Sequence, residues 1–134
     1  MSTLVDELKD DHKVIVSYLE SARNCYGTNP DLARQKLFLA KETLLKHLKK
    51  EDEVLYPALN KEGQKNSQLK NYLDVFAKDM EKISALAIKF FEKYKDRISP
   101  DFSDDFATIS FELKQRIGKE ERVLYKEFDK IEAT

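Results

Sequence analysis

The sequence predicts an all-α fold, an antiparallel up-and-down four-helix bundle, with residues 1–134 forming a single domain. Three observations lead there. Charged residues make up 37% of the chain while glycine and proline are scarce, a composition suited to long solvated helices. Three clusters of helix breakers divide the chain into four segments. Each segment carries an apolar stripe at three- and four-residue spacing, and short connections favour antiparallel neighbours.

The spacing predicts helices over roughly 2–26, 30–61, 67–97 and 100–131. The first buries Val5, Leu8, Ile15 and Leu19. At the break GTNPD, Asn29 is placed to cap the second helix and Pro30 suits its first turn. That helix offers Leu37, Ala40, Leu44, Leu48, Leu55 and Leu59, and Pro57 is expected to kink it or end it early. In KEGQKNS, Gly63 reads as a stop and Ser67 as the next cap. The third helix offers Leu73, Phe76, Ile83, Ala87 and Phe90. Ser99, Pro100 and a run of acids then favour a new helix start, and Phe106, Ile109, Leu113, Ile117, Leu124 and Phe128 form the last stripe.

Composition narrows the function classes. The formal net charge is −1, with acids and lysines interleaved, so no global field draws the chain to nucleic acid or an anionic membrane. No stretch approaches the ~20 apolar residues of a spanning helix, and the acidic start MSTLVDELKDD lacks a signal-peptide core. The lone Cys25 cannot close an intrachain disulfide. Together these point to a cytoplasmic protein. No nucleophilic triad and no glycine-rich phosphate loop is visible, so the expectation is not an enzyme.

The chain also repeats itself. HLKKEDEVLY (47–56) lies over RIGKEERVLY (116–125) at an offset of 69, and LKDDHKVIVSYL (8–19) lies more loosely over FAKDMEKISALA (76–87) at an offset of 68. His12 then answers to Met80, His47 to Arg116 and Glu51 to Glu120. The polar members sit on the apolar stripes. His12 falls between Leu8 and Ile15; His47 and Glu51 are four apart and share one face; Glu120 interrupts Ile117 and Leu124. A buried carboxylate costs several kcal/mol unless it is paired, protonated or bound to a cation. Inward Glu and His from facing helices are how bundles build metal sites.

At these residues, D-D-H at 10–12, H-L-K-K-E-D-E-V-L-Y-P at 47–57 and K-E-E-R-V-L-Y at 119–125, the chain resembles the hemerythrin-like, His-His-Glu cation-binding family. The resemblance implies an up-and-down four-helix bundle around a non-haem di-iron centre, with roles in oxygen binding, oxygen or redox sensing and iron handling. By position it assigns His12, His47, Glu51 and Glu120 as metal ligands. Met80 and Arg116 stand where two further histidines would be. A thioether is a poor ligand for hard iron, and an arginine cannot bind a cation. Glu81, beside Met80, could substitute only after a helix rotation of roughly 100°.

Two readings follow. In the first, the chain binds iron at a degenerate, single-metal or residual di-iron site, with dioxygen or a redox signal as the partner. In the second, the bundle is metal-free and acts through a protein partner as a regulator, with Arg116 replacing the metal charge by spanning Glu51 and Glu120 in bidentate hydrogen bonds. A haem held by His12 and His47 is a third reading with only those two residues behind it. Tyr56 and Tyr125, at equivalent repeat positions, are expected to pack in the core or at helix caps.

Overall fold

A computed structural model describes residues 3–133. Four helical rods run up and down the bundle. The first is α1 (Thr3–Cys25). The second joins α2 (Pro30–Lys50), a π-helical segment π1 (Glu51–Leu55) and α3 (Tyr56–Gly63). The third is α4 (Ser67–Lys93). The fourth joins α5 (Phe102–Lys119), a second π-helical segment π2 (Glu120–Leu124) and α6 (Tyr125–Ala133). No helix among the described residues is long and apolar enough to cross a membrane.

The ends follow local chemistry, with some shifts from the sequence expectation. Asn29 caps α2 by accepting from the Leu32 N–H at 3.1 Å, and Pro30 opens the helix. At α4 the cap is Asn66, accepting from the Leu69 N–H at 3.2 Å, so Ser67 is the first helical residue rather than the cap. Gly63 ends α3 without a left-handed turn. Its service is space, since a Cβ there would meet Leu73 Cδ1 at 3.4 Å and the Lys70 backbone at 3.6 Å. The third rod stops at Lys93, four residues short of expectation. The fourth starts at Phe102, beyond Pro100, because Pro100 lies in the preceding turn.

Pro57 neither ends the second rod nor causes its irregularity. The Tyr56 N–H bonds the Glu51 carbonyl five residues back, and the Tyr125 N–H bonds the Glu120 carbonyl in the same way. The second cassette has Lys126 where the first has Pro57, so the wide turn belongs to the repeated cassette and not to the proline. Spacing explains it. Glu51, Leu55 and Leu59 step by four, as do Glu120, Leu124 and Phe128, and each step overshoots a plain α-turn by about 40°. A π-turn absorbs one extra residue and keeps these side chains facing inward.

Inside, two apolar clusters fill opposite parts of the bundle. One gathers Ile15, Leu19, Leu37, Phe90, Phe102 and Leu113; the other gathers Val5, Leu8, Leu55, Leu59, Phe76 and Leu124. Between them lie His12, His47, Glu51, Arg116 and Glu120, all buried. Leu44, Leu48 and Ile117, expected in the core, are only half-buried at this level.

Candidate metal centre

Each polar residue is carried inward by the element that also carries the flanking core. His12 lies in the middle of α1, His47 ends α2, and Glu51 and Glu120 open the two π-turns. Of the four expected ligands all are brought together. Ligand atoms of His12, His47 and Glu120 lie within 4.8 Å of one another. Glu51 joins them through Oε2, 3.3 Å from His47 Nε2, and Glu120 Oε1 stands 3.5 Å from His12 Nε2.

The hydrogen bonds on the outer ring nitrogens set the tautomers. His12 Nδ1 is 2.8 Å from Glu121 Oε2, and His47 Nδ1 is 3.2 Å from Asp11 Oδ2, which Lys50 also reaches at 3.1 Å. A carboxylate only accepts, so both Nδ1 atoms carry hydrogen and donate. Both Nε2 atoms therefore turn inward, 3.1 Å apart. Carboxylates behind imidazoles are a common way of orienting metal-binding histidines. Glu121 was not singled out from the sequence; its signal was its place beside Glu120 in the cassette.

The result is a nest of acceptors. Two imidazole lone pairs and two carboxyl groups face one small volume, and neither Glu51 Oε1 nor Glu120 Oε2 has a hydrogen-bond partner. Protons or a cation must occupy it. Burial drives Glu120 well above the ordinary carboxyl range, and the adjacent Glu51 drives it further, so Glu120 holds a proton. Burial pushes Glu51 up as well, but hydrogen bonds from Glu120, His47 and Tyr125 outweigh it and bring it down to about 2. Burial lowers His12 below 6.5. The same desolvation acts on His47, yet Glu51 and Asp11 raise it above 6.5. Without a metal, then, protonation of His47 and Glu120 is favoured, and His47 Nε2–H faces both Glu51 Oε2 at 3.3 Å and His12 Nε2 at 3.1 Å.

Arg116 departs from expectation. It does not span the two glutamates. Its Nη1 donates to the Phe76 carbonyl at 3.0 Å, its Nη2 to the Tyr56 hydroxyl at 2.7 Å, and its guanidinium lies 4.6 Å from the Phe76 ring centroid. Only Nε approaches Glu120 Oε1, at 4.0 Å, and it makes no hydrogen bond. Backbone and phenol partners on facing rods draw the fork away from the carboxylates. Glu81 is exposed and takes no part, and Met80 is half-buried beside the site.

The tyrosines pack in and against the core as expected, and their hydroxyls also reach the polar layer. Tyr125, 1% exposed, donates to Glu51 Oε2 at 2.9 Å and lies 3.2 Å from His12 Nε2. Each cassette's tyrosine thus serves the other cassette: Tyr125 holds Glu51, and Tyr56 holds Arg116. Burial raises both phenols above their usual range, so they stay protonated as donors.

Two imidazoles and two carboxylates converging on one point are a donor set that fits iron, zinc or manganese. No curated protein and no solved structure matches the chain. The Hemerythrin HHE cation binding domain matches residues 3–128, nearly its whole length. The bundle, the inward His and Glu layer and that match agree: the chain belongs to the hemerythrin HHE cation-binding family.

Proposed function

We propose that this chain binds one non-haem iron ion through His12, His47, Glu51 and Glu120, and that it handles iron or senses oxygen or redox state rather than catalysing a reaction. The observation behind this is the pair of inward Nε2 atoms 3.1 Å apart among buried carboxyl oxygens that have no partner. Two imidazoles with carboxylate suit non-haem ferrous iron. One ion is proposed rather than two because Met80 and Arg116 occupy the related positions, and the buried guanidinium disfavours a second cation nearby.

The chain's own residues divide the work. Glu121 and Asp11 orient the imidazoles, Tyr125 holds Glu51, and the apolar clusters on either side keep bulk water away. Once bound, iron supplies a reversible one-electron couple and positions open to a small ligand. The metal-free regulator is the second reading, favoured by one feature, the burial of Arg116 in the same layer.

Metal analysis of protein expressed with iron separates the two. About one iron per chain, lost in His47→Ala, is the expected result. Two irons would refute the single-ion site. No metal in a folded bundle would favour Arg116 as the standing cation and direct attention to a protein partner.

A further inference from the structure

Next to the polar layer, between the second and third rods, lies a cavity of about 160 Å³. Protein interiors leave few voids larger than a water molecule, and an apolar cavity of about 150 Å³ stays dry and accepts benzene. The walls here are Ile15, Leu44, Ile83, Ala87, Phe91 and Leu113. Leu45 and Ile88 line it too, 47% and 59% exposed, and mark its mouth. Lys41 and Glu92 also line it, and the remaining charged groups belong to the metal layer.

We propose that this cavity is a binding site for a small uncharged aromatic molecule, entering between Leu45 and Ile88 and resting against the metal layer. Three features carry it. The volume matches a single benzene-sized ring. Ser84 and Ala87 are small where a leucine would fill the void, so the space is kept open by residue choice. Phe91 and the Met80 thioether offer the ring-edge and sulfur contacts that favour an aromatic over an aliphatic guest. Met80 therefore has a use in this chain at the position where the family resemblance places a histidine. The surface facing the space is overwhelmingly apolar, which favours an uncharged guest.

The site needs no ion, so it stands apart from the iron reading. The test uses benzene as probe and follows methyl resonances of Ile83, Ala87 and Leu113 in the full chain, with metal content measured alongside. Saturable shifts are expected, with affinity at least about tenfold weaker in Ala87→Leu or in Ser84→Leu, which fill the space from different positions. Metal content should match the parent in both, so failure of the metal reading shows in the metal analysis and not in the benzene titration. Absence of saturable shifts in the parent, or affinity undiminished in both variants, would overturn the proposal.

Discussion

At the scale of single residues, the centre is a problem in unmatched acceptors. Arg116 is the one permanent cation in the buried layer. Replacing it by alanine removes hydrogen bonds to Phe76 and Tyr56. Metal-free Arg116→Ala is expected to lose about 2–4 kcal/mol in urea unfolding, because the Phe76 carbonyl and the Tyr56 hydroxyl then lose their hydrogen-bond partner in the interior. Tyr125 is legible only as an aromatic in the sequence; its hydroxyl's role appears once Glu51 is seen 2.9 Å away. Tyr125→Phe should destabilise the chain by about 2 kcal/mol and weaken metal retention about tenfold, measured by competition with a chelator. The cassette glutamates and histidines were readable, since polar side chains interrupting an apolar stripe must have a reason. Arg116's partners were not readable, because they come from two other rods.

At the scale of elements, the two π-turns are what aim Glu51 and Glu120. Repeated steps of four residues were visible in both cassettes and were the available sign of a wide turn. The proline drew attention instead. Since the second cassette makes the same turn without one, Pro57→Ala should keep the π-turn. It should change stability by less than about 1 kcal/mol and leave metal content intact. A variant that lost its metal on this substitution would return the turn to the proline. Helix caps show a similar limit. Asn66 and Ser67 are both good capping residues in sequence, and which one caps depends on where α4 packs against Gly63.

Over the whole molecule, the metal layer couples stability to pH. Glu120 is raised above its unfolded value of 4.5, so its contribution is fully present below that and is lost as pH rises through its folded value. His47, also raised, contributes below 6.5 and loses that contribution as pH rises through its own folded value. Glu51, depressed to about 2, acts oppositely: its contribution is present above 4.5 and disappears as pH falls towards 2. The metal-free bundle should therefore weaken both in acid and as pH rises above 6.5. A divalent cation displaces the protons on His47 and Glu120, so binding should release up to about two protons and strengthen as pH rises. Calorimetric titration with ferrous ion in buffers of differing ionisation enthalpy would measure that release. A value near zero would mean the cation binds elsewhere.

The sequence by itself determined the four helical segments, the repeat and the identity of the inward polar residues, because periodicity and the cost of burying charge act along one helix at a time. Tertiary structure decided the rest. It placed two Nε2 atoms 3.1 Å apart from helices distant in sequence, gave the Arg116 fork to Phe76 and Tyr56 instead of the glutamates, and left a cavity between the second and third rods. These depend on the rotation and spacing of rods against each other, which several elements settle together when they pack.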